Sequence, residues 1–334
     1  MAAHELDQLP RRLVPLMRAA IARCRLDLSG LTVLTEAASG AYVVTPVLAA
    51  LAGAARVIAV TRTTRYGTAE EIRRSTLALA RRAEVDDRIE IVAEKTPALV
   101  GQADIITNSG HVRPIDAEMV GWMKAGAVVS LMYEVWELRP GDVDLGACRA
   151  RGIPVAGTNE RHPLVDVFSF LGPLAVKALH DAQVPVYGSR VLVLCDNPFA
   201  PLIAPYLARA GAEVELQERT AEARGRDFDA VLVALRPMSS PVFAAADARR
   251  IAELAPEATV VQYWGDVDRA ACARAGLDVW PPEAPAPGHM AVLLSAIGPE
   301  PIVRLQAGGL KAGEVLARRT RDPVELAFIQ PLEE

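Results

Sequence analysis

The stretch that decides the fold runs from Gly188 to Glu218, GSRVLVLCDNPFAPLIAPYLARAGAEVELQE. An apolar strand, Val191 to Leu194, leads into a polar loop, then an apolar helix, then Gly211 and a second strand that ends at Glu218. A short apolar run bounded by turn formers reads as a buried strand, and apolar residues three and four apart read as a helix. The order is that of a dinucleotide-binding β-α-β unit. Such a unit carries G-x-G-x-x-G at its first turn, so that backbone can approach a pyrophosphate, and an acid about 20 residues on for the ribose hydroxyls. The acid is present as Glu218, but the glycine positions hold Cys195, Asn197 and Ala200. The scaffold of the unit is legible and its phosphate grip is not.

Working outward, apolar runs alternate with amphipathic helical stretches along the chain, the signature of a parallel sheet covered by helices on both faces. Strands are expected at 32–35, 56–61, 88–92, 104–107, 127–132 and 153–156, with helices near 42–53, 68–83, 115–124 and 143–151. The second half repeats the pattern, with strands at 190–195, 212–217, 229–234, 258–262 and 276–279 and helices near 199–210, 244–254 and 267–274. The fold class is therefore α/β: two Rossmann-like domains with mostly parallel sheets, joined by helical linkers around a cleft. The first domain is expected to take residues 1–162 plus 299–334, the linker helix 163–183, and the second, nucleotide-binding-type domain 184–298. In open α/β sheets ligands sit at the carboxyl ends of the strands, so the loops after the strands are the ones that carry function.

Composition narrows the classes. The 334 residues are 51 % hydrophobic and 23 % charged, with a net charge of −5. That suits a large core and argues against disorder. No basic patch with interleaved aromatics marks a nucleic-acid partner, and no apolar run reaches the roughly 18 residues of a membrane span. The N-terminal segment lacks the apolar core of a signal peptide. Four scattered cysteines without a C-x-x-C pair point away from disulfides and metal, and towards a reduced, cytoplasmic setting.

Three segments resemble the D-2-hydroxyacid dehydrogenase family, with adenosylhomocysteinase-type proteins as more distant relatives. GDVDLGACRARGIPVAGTNE (141–160) is similar to the family's run ending D-x-x-A-x-x-x-G-I-P-V-x-N-T, 190–218 to its cofactor unit, and AGLDVWPPEAP (275–285) to A-x-D-V-F-x-x-E-P. The resemblance covers roughly residues 100–298. It implies a two-domain fold, NAD or NADP on the second domain, a small anionic substrate, and a homodimer. The family's chemistry uses an arginine for the substrate carboxylate, a histidine acid/base and a glutamate that supports the histidine. The glutamate matches Glu283. Trp264 stands in the arginine's place and Ala296 in the histidine's, so His289, or His111 or His162 from the first domain, would have to serve as the acid/base.

Individual loops supply the remaining candidates. Asp196, Asn197, Pro198 and Phe199 form the turn that would meet the cofactor, with Glu218, which favours NAD over NADP because an acid repels a 2′-phosphate. Arg236 follows the strand at 229–234, and Tyr263 and Trp264 follow 258–262, where Trp264 could cover a nicotinamide or fill space. In the first domain Ser39 and Gly40 open a helix, a moderate anion signal. Arg62 and Arg65 suit an anionic group. Asn108, Ser109 and Gly110 lie on the loop that the resemblance assigns to the substrate carboxylate, next to His111, which titrates near neutrality. Tyr133 and Glu134 follow the strand at 127–132, and Glu134 could receive an amine or act as a base. Each of these residues also has a plain structural role open to it as cap, packing residue or solvated charge. Three functions follow. The leading one is a divergent NAD(P)-dependent oxidoreductase acting on a small anionic metabolite. The others are a non-redox lyase or transferase acting on an amino-acid-like substrate, and a non-catalytic binding or partner protein.

Overall fold

The computed structural model describes residues 11–332. In chain order its strands are β1 (Thr32–Glu36), β2 (Arg56–Val60), β3 (Ile89–Val92), β4 (Ile105–Thr107), β5 (Val128–Ser130), β6 (Val155–Thr158), β7 (Arg190–Leu194), β8 (Glu213–Gln217), β9 (Ala230–Ala234), β10 (Thr259–Trp264), β11 (Val279–Trp280) and β12 (Ile329–Pro331). Its helices are α1 (Leu13–Cys24), α2 (Val44–Leu51), α3 (Ala69–Ala83), α4 (Pro97–Val100), α5 (Ala117–Trp122), α6 (Leu145–Ala150), α7 (Leu171–Asp181), α8 (Ala200–Arg209), α9 (Ala245–Leu254), α10 (Arg269–Arg274), α11 (Glu300–Ala317) and α12 (Pro323–Leu326). The chain forms two units. One runs up to Val167 and resumes at Pro299, and the other is Phe168–Gly298.

The first unit is built on a sheet ordered β12-β6-β5-β4-β1-β2-β3. All neighbours are parallel except β12, which runs antiparallel to β6. The central strands are buried throughout, as continuous apolar runs covered on both faces should be. Helix α2, VTPVLAAL, is apolar all round and almost wholly buried. Helix α3 is amphipathic and opens with a capping box in which Thr68 and Glu71 satisfy each other's backbone N–H groups. Helix α11 lies on the sheet because it presents no side chain where the sheet is closest. A Cβ on Gly308 would stand 3.1 Å from Thr158 Cγ2 on β6 and 2.7 Å from Val165 Cγ1 in the segment after it, and one on Gly313 would meet Ile105 Cγ2 at 2.6 Å. The same helix buries Lys311, whose ammonium is held by Glu325 at 2.6 Å, by Glu314 at 3.1 Å and by the carbonyl of Arg25 at 3.1 Å.

Both points where the chain crosses out of this unit lie at one ion-pair cluster. Asp166, held in the left-handed region at φ 54°, accepts from Arg23 and Arg304, and Arg304 also grips Glu300.

The second unit has the order β11-β10-β9-β7-β8, all parallel. The sheet ends at β8, whose outer edge is covered by a loop. The Glu215 carboxylate accepts from the N–H groups of Arg224 and Gly225, both at 2.8 Å, and so ties that loop against the sheet edge.

Two sequence expectations change here. Helix α7, expected within a separate linker, packs as part of the second unit's core through Leu174, Ala175 and Ala178. Strand β10 continues through Tyr263 and Trp264, with a register shift between Gln262 and Trp264, where a loop was expected. The C-terminal segment forms an 18-residue helix and then a strand, β12.

In each sheet the strand order reverses beside the first strand, between β1 and β4 in the first unit and between β7 and β9 in the second. These switch points are where an open α/β sheet leaves a crevice for a ligand.

Candidate functional site

At the second sheet's switch point the loop after β7 is closed by its own side chains. Asn197 Nδ2 donates to the carbonyl of Ala234 at 2.7 Å and to Asp196 at 3.0 Å, while its Oδ1 accepts the N–H of Phe199 at 3.1 Å. Asp196 Oδ1 accepts the N–H of Arg236 at 2.9 Å. The opening turn of α8 can be accounted for group by group. The Ala200 N–H reaches Asn197 O at 3.3 Å, Pro201 has no N–H, and Leu202 and Ile203 both donate to Phe199 O at 3.0 Å. Phe199 packs into the core. It meets Phe168 edge-on at 5.4 Å and Trp264 tilted at 5.0 Å between centroids.

Tyr263 and Trp264 are core residues rather than cofactor-facing ones. Tyr263 Oη donates to Leu171 O at 2.9 Å, and Trp264 Nε1 donates to Gly288 O at 3.3 Å. Burial also pushes the Cys195 thiol up to about 11, which keeps it an inert packing group. Pro198, Glu218 and Arg236 are exposed. A pyrophosphate binds a Rossmann turn through free N–H groups at a helix start and through the open space that glycine leaves. The opening turn of α8 provides neither, so the residues present do not fit a dinucleotide at this turn.

The first sheet's switch point is built in the same way. Glu36, the last residue of β1, accepts the N–H of His111 at 2.9 Å, beside Gly110, where an added Cβ would stand 3.3 Å from the same carboxylate oxygen. Burial raises the Glu36 carboxyl above its ordinary value, against the opposing pull of that N–H and of Arg113. The loop residues expected to hold a substrate carboxylate are thus engaged internally. Asn108 Oδ1 accepts from Met132 N at 2.8 Å, and Ser109 Oγ lies 2.7 Å from Thr107 Oγ1. Tyr133 donates to Asp142 at 2.7 Å, on the oxygen that Arg113 also holds at 2.8 Å.

The richest chemistry at this edge belongs to a cluster of carboxyl groups. Glu134, buried, is gripped by Trp136 Nε1 at 2.7 Å and by Arg161 at 3.1 and 3.3 Å. Three donors occupy this one buried carboxylate, which suits a structural anchor better than a base. Glu137, on the short 3₁₀ turn Val135–Glu137, accepts the Glu134 N–H at 3.3 Å and pairs side chain to side chain with the buried Glu160 that follows β6. Burial, with the neighbouring Glu134 charge adding to it, pushes Glu137 up to about 7. Burial and then the Glu137 and Glu134 charges push Glu160 well above the carboxylate range, so Glu160 is the proton donor of the pair. Tyr42, on the turn before α2, is pushed up to about 12, chiefly by burial and then by Glu36, Glu160 and Glu137.

The other expected residues are dispersed. Arg62 is exposed and donates to His111 O at 3.4 Å, and Arg65 is exposed and contacts Tyr66. Ser39 is half-buried and makes no side-chain cap, and Gly40 is exposed at φ 63°. His111 is half-buried, its pKa lowered by burial and by Arg62. His162 stacks on Phe328 at 3.9 Å, with Nδ1 accepting from Leu164 N, which is a structural use of an imidazole. Glu283 and His289 are exposed on the segment after β11. Sequence reading missed Glu36, Glu137, Glu160 and Tyr42 as site residues. Glu36 and Glu160 each lie at or just past the end of an apolar strand, and that position was the signal available. Among the described residues no group of His, Cys, Asp or Glu side chains is arranged to hold a metal ion, and no helix is long and apolar enough to cross a membrane.

Two Rossmann-like units, with the chain returning to the first, define the architecture of the D-2-hydroxyacid dehydrogenases and their relatives. Among solved structures the chain is similar to a dipicolinate synthase chain from Bacillus subtilis, with a TM-score of 0.55 at 14 % identity over 88 % of this chain and 98 % of that one. Its counterpart from Bacillus halodurans gives 0.54 at 13 % over 89 % and 100 %. NAD-dependent formate dehydrogenase from Staphylococcus aureus, in complex with NAD, gives 0.50 at 12 % over 86 % and 94 %. The likeness is one of fold. No protein-family model matches the sequence, and no curated protein matches it.

Proposed function

We propose that the chain is an enzyme that moves protons on a small amino-acid-like metabolite at the carboxyl edge of the first sheet, in a lyase- or transferase-type step. The observation that carries this reading is the Glu137–Glu160 pair. A half-buried carboxyl group pushed up to about 7 both holds and releases a proton at neutral pH, which is what general acid–base chemistry requires. The carboxyl-rich edge suits a substrate ammonium. The exposed Arg62 supplies a partner for a substrate carboxylate.

The test is exchange of α-hydrogens in deuterated water, followed by proton NMR across a panel of amino acids. Exchange of at least one substrate by the native protein, lowered about 10²- to 10⁴-fold in Glu137→Gln, is the expected result. No exchange of any panel member by the native protein defeats the reading.

A second reading is an NAD(P)-dependent oxidoreductase of the D-2-hydroxyacid dehydrogenase type acting on a small anionic metabolite. It draws support from the fold, since the S. aureus protein of that fold is an NAD-dependent formate dehydrogenase. Glu218, just past β8, adds a preference for NAD. A homodimer and a cytoplasmic setting belong with this reading, and native mass spectrometry of the purified chain tests the assembly.

A further inference from the structure

We infer that the second unit has exchanged a dinucleotide grip for an internal clamp, so that neither NAD(H) nor NADP(H) binds at the turn between β7 and α8. The inference rests on where the polar groups of that turn go, and it stands whether or not the first sheet is catalytic. A dinucleotide entering the switch point would need the Phe199 N–H, which Asn197 Oδ1 holds at 3.1 Å. It would need the space between the ends of β7 and β9, which the Asn197 amide spans to Ala234 O at 2.7 Å. It would also meet the Asp196 carboxylate, fixed at 2.9 Å on the Arg236 N–H. That carboxylate is an anion placed where the phosphates would lie, and like charges in a crevice repel. The turn therefore carries its own stand-in for the ligand: an amide for the helix cap and a carboxylate for the anion.

The first sheet repeats the device independently. There the Glu36 carboxylate, at the end of the first strand, takes the His111 N–H beyond the neighbouring strand. Each sheet thus closes its switch point with an acidic side chain from the chain itself. A degraded glycine motif alone would not produce this pattern, because loss of glycine leaves N–H groups open rather than paired.

The test uses the whole 334-residue chain. NADH and NADPH are titrated to about 1 mM with nicotinamide fluorescence as readout, and hydrogen–deuterium exchange is followed in peptides covering 195–203 and 234–237. The expected result is no saturable binding and no change in exchange on adding either nucleotide. Saturable binding with a Kd below about 100 μM, weakened at least about tenfold by Glu218→Ala, overturns the inference. The clamp itself is read from Asn197→Ala, in which exchange at Phe199 should rise at least about tenfold. An unchanged rate in a variant that retains its native melting profile also overturns it. If that variant does not fold, the titration of the native protein decides alone.

Discussion

Asn197 and Ala234 are joined across the switch point of the second sheet by a 2.7 Å bond from the Asn197 amide to the Ala234 carbonyl. The same side chain caps the Phe199 N–H, so two backbone groups depend on one residue. Asn197→Ala leaves both without a protein partner and should cost about 1–3 kcal/mol of stability, measured as the shift in urea midpoint at constant slope. Asn197→Asp keeps the acceptor, loses the donor and sets a second charge beside Asp196. It should be at least as damaging, and a variant as stable as the native protein would show that the loop is not held in this way.

The Glu137–Glu160 pair makes stability depend on pH. Glu137 has its folded pKa raised from 4.5 to about 7. Below 4.5 the group is protonated in both states, and the contribution is fully present. As pH rises towards 7 the unfolded chain loses a proton that the folded chain keeps, so folding binds protons and stability falls. The loss should be about 1–3 kcal/mol between about pH 4.5 and 7. Glu160→Gln still donates a hydrogen bond to Glu137 but removes one acid, and it should flatten this slope. Denaturant midpoints for the two proteins at matched pH values make the comparison, and parallel slopes would contradict the pairing.

Lys311 is 1 % exposed and neutralises Glu314 and Glu325 together. Lys311→Met keeps the volume but leaves the buried Glu314 carboxylate only the Asp27 N–H at 2.9 Å and Arg318 at 3.7 Å, so a loss of about 1–3 kcal/mol is expected. Adding Glu314→Gln to Lys311→Met should recover part of that loss, because the desolvated charge is gone. Full additivity in the double variant would mean the two side chains do not interact.

Gly313 faces Ile105 with no room for a methyl group. Gly313→Ala raises helix propensity yet forces α11 off the sheet, and the steric cost should win by about 1–3 kcal/mol. The same change at Gly121, where an added Cβ meets nothing within 4 Å, is a control that should not destabilise.

Much of the fold could be read from the chain because its strands are continuous apolar runs separated by amphipathic helices. The central strands of both sheets overlap the expected segments, as does the β7–α8–β8 unit. What escaped was set by tertiary contacts. Gln262 looked like the end of a strand, but the chain continues through Tyr263 and Trp264, whose polar atoms find carbonyls at Leu171 and Gly288. Strand β12 has only three residues and forms by docking on β6, with too little text to show alternation. The site was harder to read. Asn108 and Glu134 are polar residues at strand ends, the right places, but Met132 and Arg161, which hold them, lie 24 and 27 positions away, and Ser109 is taken by Thr107 two residues before it. Glu137 and Glu160 lie 23 positions apart, and only the fold brings the carboxyl groups together.

The Arg304 fork that holds Asp166 and Glu300 has a consequence for how the protein responds to cleavage. The chain leaves the first unit just past Asp166 and re-enters it at Pro299, one residue before Glu300. The first unit is therefore assembled from two separate lengths of polypeptide, with α11 and β12 of the later length packed on the strands of the earlier one. A protease that cuts anywhere within 168–298 severs the chain without separating these two lengths. The nicked protein should keep its first unit intact, held as a non-covalent pair of fragments.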